Sequence, residues 1–462
     1  MAGIGFKLRN MIDRKHGLIH SVKSYGYAVI VLNGPMFMCI VAVFIIQLIL
    51  GTSKYSGIPS ERILTTVTYS FILSTILTSI YSMVLTRYVS DCLHKKEFQK
   101  IMPSLYGAMV FAVILSIAAS ISLILFAGMK YQYGIMLSIL YSIVSIISLE
   151  TIYLSAVKNY KSISLGFLAG NILIVLMLLF IKQVPPQFSL NYILLSFDSG
   201  FALTAIILIY QIRKAFGEGN GNFMEWTRYI IKYPSLITIG FCYTFSLYFL
   251  SLFYRFTDTG SFINGFLTVK TGFDLPFYLA VLGFIPGLVY FSIRFETSLH
   301  TSCNAFYLSI NNNGTLDEID YNLYSLKVTV KYCYIKLALI QTIITLIMLS
   351  LPLIICKNIE TGFPSYYTFC ILTLGMNSSL LMYVSMIVIL YFDARNFAFL
   401  ISLIYLALNA LLTIITYLVH LNLICIGFMT ASILSLIISI VFLVIFFKNI
   451  KKYAFMMFPN LD

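Results

Sequence analysis

FDLPFYLAVLGFIPGLVYFSIRFETSLH, residues 273–300, is the stretch that decides the fold class of this chain. It runs apolar over roughly twenty residues, the length that crosses a bilayer, and becomes charged at Arg294 and Glu296. A proline inside such a span frees a backbone carbonyl, which only neighbouring helices or trapped water can satisfy. The stretch therefore predicts a membrane helix that breaks at Pro286-Gly287 and packs against other helices around a cavity.

An earlier segment has the same organisation. An apolar run over 64–86 ends in TRYVSDCLH, with Arg87 and His94, as the later run ends in SIRFETSLH, with Arg294 and His300. Arg87 and Arg294 lie 207 residues apart. A shift of the same size aligns the first apolar segment with the seventh. The repetition predicts a chain built from two related halves.

Composition places the protein in the membrane. Hydrophobic residues make up 60% of the chain and charged residues 10%, with a mean hydropathy of +0.93, whereas soluble domains are about one quarter charged. Lipid allows only helices or closed barrels to cross, and the apolar runs are too long for barrel strands. The sequence predicts an all-α polytopic membrane protein with twelve transmembrane helices in two pseudo-symmetric six-helix bundles.

The predicted spans and domains divide the chain as follows. The spans are 25–50, 63–86, 103–127, 134–156, 163–181, 190–212, 233–254, 273–293, 333–356, 366–392, 397–418 and 423–447. The domains are a cytoplasmic amphipathic N-terminal segment (1–24), an N-terminal six-helix bundle (25–215), a cytoplasmic linker with an interfacial helix (216–232), and a C-terminal bundle (233–462) that includes a cytoplasmic helical hairpin (294–336).

The net charge of +13 is distributed as in a membrane protein, which argues against nucleic-acid binding. With both termini on the cytoplasmic side, the outer loops hold few of the 30 Lys and Arg residues: Lys54, Arg62, Lys130, Lys182, Arg255, Lys270 and Lys357. Basic residues concentrate in cytoplasmic loops. The pattern therefore predicts a multi-pass protein of the cytoplasmic membrane with both termini inside.

Two cytoplasmic connections carry local structure. In the linker, closely spaced glycines predict flexibility, and Trp226 is expected at headgroup depth. In the hairpin, Asn311 to Gly314 is a turn signal, and Thr315 with Glu318 fits a capping box that restarts a helix. A docking site for a cytoplasmic partner and a plain connector both remain open for the hairpin.

Enzyme chemistry has no signature here. The sequence contains no phosphate-binding glycine loop, zinc-ligand spacing or nucleophile elbow. The eight cysteines are scattered without a CxxC pair, so we expect small buried hydrophobes. We expect no catalytic residue, no metal site and no cofactor.

Three acids at membrane depth are the candidate substrate-path residues. Asp198 lies among apolar neighbours, and Gly200 is expected to leave room beside it. Glu150 either lines the path or sits at the interface, paired with Lys158 or Arg87. Asp274 either lines the path or caps the eighth span. A charged group at the bilayer centre costs about 2.5–3.5 kcal/mol on insertion scales and normally faces a cavity or a partner.

Four charged residues form a candidate cytoplasmic gate or latch. Arg87 and Arg294 end the two related helices, with Asp91 and Glu296 beside them. Simple positive-inside anchoring and an ionic latch between the halves both fit this pattern.

Several stretches together resemble the Pel exopolysaccharide exporter family, PelG. They spread over nearly the whole chain: MAGIGFKLR (1–9), TRYVSDCLHKKEF (86–98), YPSL (233–236), FIPGLVYF with IRFET (284–297) and YFDAR (391–395). The resemblance implies the superfamily of lipid-linked oligosaccharide flippases and MATE-type multidrug exporters, whose fold is two six-helix bundles facing a central cavity.

The resemblance also implies a function. The family is thought to move a cationic amino-sugar polysaccharide across the cytoplasmic membrane, beside a cytosolic glycosyltransferase (PelF-like) and a cyclic-di-GMP receptor (PelD-like). It supplies no established site residues. The alternatives are an ion-coupled transporter of drugs, a transporter of lipid-linked oligosaccharides, and a membrane scaffold for a glycosyltransferase.

Overall fold

The computed structural model describes residues 60–127, 131–154, 160–185, 189–257, 261–263, 267–269, 271–312, 314–355, 365–419 and 425–457. The predicted segment 1–24 and the first predicted span, 25–50, lie outside these described residues. The first helices are α1 Ser60–His94, α2 Ile101–Ala127, α3 Tyr131–Leu154, α4 Tyr160–Leu179, α5 Ser189–Phe216, α6 Thr227–Lys232 and α7 Pro234–Thr257.

The second part of the described chain begins with a short antiparallel hairpin, β1 Ser261–Ile263 and β2 Leu267–Val269. The helices that follow are α8 Thr271–Leu282, α9 Phe284–Tyr290, α10 Glu296–Asn311, α11 Leu316–Ile355, α12 Tyr366–Tyr391, α13 Arg395–Leu418, α14 Cys425–Lys448 and α15 Ile450–Met457. Among the described residues, ten helical segments are long and apolar enough to cross a membrane. They match ten of the twelve predicted spans.

The predicted span 163–181 corresponds to α4, whose described apolar part, Ser164–Leu179, is shorter than the other spans. The prediction of an all-α polytopic membrane protein is confirmed. Long helices form because nearly every residue in them is apolar, and lipid requires backbone groups to be paired within the segment.

Contacts divide the described residues into an N-terminal unit, within 60–274, and a C-terminal unit, within 275–457. In the N-terminal unit, α3 packs against α1, α2 and α5, and α7 packs against α1. A Cβ on Gly240 of α7 would lie 2.5 Å from the Ser79 carbonyl oxygen of α1, so glycine allows these two helices to approach closely. The contacts thus group α7 with this unit, whereas the predicted division places it in the C-terminal bundle; that division remains a prediction.

The connection between α5 and α7 is held against the N-terminal unit, which corrects the expectation of a flexible linker. A Cβ on Gly107 would lie 1.9 Å from the Phe223 carbonyl oxygen, and one on Gly219 would lie 2.2 Å from the Gln99 carbonyl oxygen. Lys100 Nζ lies 3.0 Å from Glu225 Oε1. At both positions glycine allows close backbone contact. At Gly219 it also adopts a positive φ of +65°.

Trp226 is fully buried, with its ring edge-on to Phe111 at 5.5 Å. Trp226 thus packs inside the protein, and its expected headgroup depth on an interfacial helix remains a prediction. The helix that follows it, α6, has six residues. The indole acts as an anchor that fixes the linker to α2.

The C-terminal unit is built around α12. This helix packs against α11, α13 and α14, and α10 packs against α11. A Cβ on Gly375 of α12 would lie 2.6 Å from the Phe428 ring of α14. Aromatic side chains from the end of α12, the start of α13, the end of α14 and from α15 contact one another: Phe392, Phe397, Phe446 and Tyr453.

The stretch 273–300 breaks three residues before the predicted point. α8 ends at Leu282, Gly283 forms a turn, and α9 begins at Phe284. Pro286 has no N–H to donate to the Leu282 carbonyl, so the chain must restart a helix upstream, where proline fits the first turn. A neighbouring helix contacts the break next to this carbonyl, because Gln341 Nε2 of α11 donates to the Gly283 carbonyl oxygen at 2.8 Å.

A π-helical segment, Phe291–Phe295, then carries Arg294 into α10. The predicted helical hairpin over 294–336 follows, and its helices and turn are confirmed. The Gly314 N–H donates to the Ser309 carbonyl at 2.9 Å and closes α10. The Glu318 N–H donates to Thr315 Oγ1 at 3.3 Å, so Thr315 caps α11 as the capping box predicts. The cytoplasmic location of the hairpin remains a prediction.

Candidate functional site

Glu150 and Asp198 lie inside the N-terminal unit, on the packed helices α3 and α5. Glu150 has no exposed surface and Asp198 is 6% exposed. Both carboxylate oxygens of Glu150 and Oδ1 of Asp198 are buried without a hydrogen-bond partner. Burying an ionised carboxylate is costly unless a charge or hydrogen bonds compensate it. The two acids are therefore the groups in this unit that most need a ligand.

The environment of Glu150 bears on its expected pairing with Arg87, and its role as a path acid remains a prediction. Arg87 Nε lies 3.4 Å from Asp91 Oδ1, and the structure gives Glu150 no hydrogen bond to Arg87; Lys158 is outside the described residues. One turn further along α3, the Tyr153 hydroxyl is hydrogen-bonded to Ser104 at 3.2 Å. Glu150 is fully buried within the protein.

The space beside Asp198 is filled, in contrast to the expectation for Gly200. A Cβ on Gly200 would lie 2.3 Å from Ile174 and 2.7 Å from the Gly170 carbonyl oxygen, both on α4. The next residue, Ser199, donates to Met177 Sδ at 2.9 Å. Glycine here allows α4 and α5 to pack closely. The role of Asp198 as a path acid remains a prediction.

Asp274 is the fourth residue of α8, which begins at Thr271. The interpretation of Asp274 as an N-cap is therefore wrong, because the cap precedes the first helical residue. The role of Asp274 as a path acid remains a prediction.

Two of the sequence motifs meet at the end of α1. The guanidinium carbon of Arg87, in TRYVSDCLH, lies 5.6 Å from the centre of the Tyr233 ring. Tyr233 is the first residue of YPSL. Lys232 Nζ lies 5.2 Å from the centre of the same ring. The neighbouring Tyr229 has its pKa raised to about 12, by burial and by the carboxylate of Asp91. Two cations, two aromatic rings and one acid thus form a single cluster.

Two further motifs meet in the C-terminal unit. His300 Nδ1, at the end of SIRFETSLH, is hydrogen-bonded to the hydroxyl of Tyr391, the first residue of YFDAR. Asn304 Nδ2 lies 3.1 Å from His300 Nε2. Glu296 is buried one turn before His300, on the same face of α10. In YFDAR itself, Asp393 adopts a φ of +55° and its carboxylate lies 3.3 Å from Arg395 Nε.

The four residues of the candidate latch divide between the units. Arg87 and Asp91 form an ion pair within the N-terminal unit. Arg294 and Glu296 lie two residues apart in the C-terminal unit, in the π-segment and at the start of α10. Their action as a latch between the halves remains a prediction.

Sequence reasoning missed the aromatic and amide partners. Tyr233 and Tyr391 entered the sequence analysis only as parts of the YPSL and YFDAR motifs, without an assigned partner. Lys232 and Gln341 were not singled out. For Gln341 a signal existed, since it is an amide within a long apolar run. Among the residues that the structure describes, no group of three or more His, Cys, Asp or Glu side chains is placed to hold a metal ion.

The fold is that of MATE-type membrane transporters. A multidrug resistance MATE family transporter of the MOP superfamily, in its outward-facing conformation, has a TM-score of 0.59 at 11% identity, over 92% of this chain and 96% of that one. A MOP superfamily transporter from Pyrococcus furiosus gives 0.59 at 12% identity, over 92% and 96%. The eukaryotic MATE transporter AtDTX14 gives 0.56 at 10% identity, over 94% and 98%.

These likenesses confirm the predicted MATE-type architecture. The family described as "PelG: Putative exopolysaccharide Exporter (EPS-E)" matches residues 1–455. The chain belongs to this family. It is a multi-pass membrane transporter, and the predicted resemblance is confirmed. No curated protein matches the chain.

Proposed function

We propose that this transporter moves a Pel-type exopolysaccharide, a cationic amino-sugar polymer, across the cytoplasmic membrane. Membership of the exopolysaccharide exporter family supports the substrate class. The observation that supports a cationic substrate is the burial of Glu150 and Asp198. Both carboxylate oxygens of Glu150 and Oδ1 of Asp198 lack a hydrogen-bond partner. An amino group of the polymer offsets the cost of holding a negative charge at membrane depth.

The proposed setting has both termini in the cytoplasm and a cytosolic glycosyltransferase (PelF-like) that delivers the polymer. The location of Lys and Arg supports this orientation. A cyclic-di-GMP receptor (PelD-like) is the proposed regulator. Family membership supports both partners, in addition to the polymer and the bilayer.

Deletion of the gene tests the proposal. Extracellular polymer should disappear while the cytosolic transferase persists at its normal level, and re-expression of the intact chain should restore secretion. Normal secreted polymer in the deletion strain would refute an exporter. The same strain should keep its tolerance to cationic drugs, which separates polysaccharide export from drug export. Identities of 10–12% to the solved transporters show the fold alone, so this test is needed.

The alternative function is a membrane scaffold for a glycosyltransferase. The hairpin formed by α10 and α11 favours this alternative, because the hairpin is longer than a simple connection between two spans requires. Substitutions of Glu150 and Asp198 distinguish the two. They should reduce export if polymer passes through the protein, and should leave export intact if the protein only anchors the transferase.

A further inference from the structure

The first half of α11 extends beyond the membrane. The helix has 40 residues and is therefore about 60 Å long, at 1.5 Å per residue, whereas the hydrocarbon core is about 30 Å thick. The segment from 337 to 355 contains no charged residue and is long enough to cross that core. The part from Leu316 to Lys336 consequently lies outside the hydrocarbon.

One face of this outer part is apolar, aromatic and uncovered. Its side chains are spaced by three or four residues and so lie on one side of the helix. They are largely exposed: Tyr321 72%, Tyr324 68%, Val328 47%, Tyr332 63% and Ile335 49%. These five residues are called the tyrosine face. Soluble surfaces rarely leave such a continuous apolar stripe uncovered unless another molecule binds there.

The geometry of the tyrosine face fits a helix. Steps of three and four residues are the spacing of a helix–helix seam, in which side chains of one helix fill the gaps of the other. The opposite side of α11 is already buried, through Leu323, Leu326 and Val330. The tyrosine face is therefore a second, vacant packing surface on a helix that the unit already holds in place. Tyrosines are common anchors in such surfaces.

Charge beside the tyrosine face selects the occupant. Lys327, Lys331 and Lys336 flank its membrane-proximal part, and Asp317 and Glu318 lie at its tip. Two copies of this chain in one membrane run parallel, so lysines would face lysines and acids would face acids. Like charges across an interface are unfavourable. The charge pattern thus disfavours self-association and favours a helix that carries acids along its flanks.

We propose that the tyrosine face docks an amphipathic helix of another protein, whose apolar seam is flanked by Asp and Glu. The seam covers Tyr324 and Val328 at the centre of the face, and the acids meet the three flanking lysines. This inference stands on the hairpin alone and is independent of the substrate that the transporter moves.

Binding of designed peptides to the full-length protein in lipid nanodiscs tests the proposal. Two helical peptides share one apolar seam; one has Glu and the other Lys at the flanking positions. In fluorescence anisotropy the Glu peptide should bind at least tenfold more tightly, and its binding should weaken as salt screens the charges. Equal binding of both peptides, or binding of neither, would overturn the proposal, as would equal binding of the Glu peptide to empty nanodiscs.

A double substitution locates the binding site. Tyr324→Glu with Val328→Glu changes two exposed side chains and should weaken the Glu peptide at least tenfold. Ala305→Glu, on the exposed side of α10, adds one negative charge elsewhere on the hairpin and should bind as wild type. Wild-type affinity in the double variant would overturn the proposal. Mass photometry that shows a dimer which the double variant dissociates would instead assign the face to a second copy, contrary to the proposal.

Discussion

Gln341 completes the break in the span around Gly283: its Nε2 donates to the Gly283 carbonyl oxygen at 2.8 Å, and both groups are buried. Gly287 lies on the other side of the amide, where an added Cβ would be 2.4 Å from Gln341 Oε1 and 2.5 Å from Leu380. The amide therefore has two functions in the packing of α9 against α11. It gives the Gly283 carbonyl at the break a side-chain donor, and it fills the groove that Gly287 leaves.

Gln341→Leu should destabilise the protein by about 1–3 kcal/mol, because a buried carbonyl loses its donor. Gly287→Ala should destabilise it by a similar amount, because the methyl group overlaps the amide and Leu380. The midpoint of thermal unfolding, followed by size-exclusion chromatography of detergent-solubilised protein, measures both. Thr342→Ala, at the exposed neighbouring position, is the control and should unfold as wild type. A wild-type midpoint for Gln341→Leu would contradict the role given to the amide.

Gly107→Ala should release the linker from α2. The added methyl group collides with the Phe223 carbonyl oxygen, so the segment that carries Trp226 must move. Limited proteolysis should cut the linker of the variant at least tenfold faster than that of the wild type. Gly221→Ala is the matched control, because its Cβ would meet only ordinary contacts at 3.5 Å. Equal cleavage of Gly107→Ala and wild type would show that the linker moves freely in both.

Local patterns predicted the spans and the hairpin, because long apolar runs and a capping box report on their own segment. The position of Trp226 was not predictable in this way. An aromatic residue beside a glycine-rich linker is typical of the membrane interface. The indole is buried because Phe223 closely approaches Gly107, a contact between distant parts of the chain. Burial of Glu150 likewise depends on α1 and α2 packing around α3, which the order of residues along α3 does not contain.

The contact between His300 and Tyr391 should be worth about 0.5–1.5 kcal/mol, the net value of a typical hydrogen bond. His300→Ala and Tyr391→Phe each remove the bond, which joins the end of α12 to α10. Thermal midpoints of the two single variants and the double variant form a thermodynamic cycle. The double variant should be about as stable as the less stable of the two single variants. Full additivity would show that the two motifs are close but not coupled.

Asp198→Asn should leave the protein folded and reduce the export of a cationic polymer. The amide is nearly isosteric with the carboxylate and removes the charge that an amino-sugar would meet. If each passing amino group gains the equivalent of about 1.4 kcal/mol from this acid, export should fall roughly tenfold. Extracellular polymer per unit of membrane-inserted transporter is the measurement. A fully acetylated, neutral polymer should be exported at the wild-type rate.

Glu150→Gln should have an effect at least as large, because Glu150 is the more completely buried of the two acids and both its oxygens lack a hydrogen-bond partner. Asp317→Asn, an exposed acid on the hairpin, removes the same charge outside the membrane and should export normally. Two results separate the possible roles of the acids. Loss of cationic polymer alone supports an electrostatic path. Equal loss of cationic and neutral polymer, with normal protein level, would mean that the acids act on the conformation of the transporter and not on the charge of its substrate.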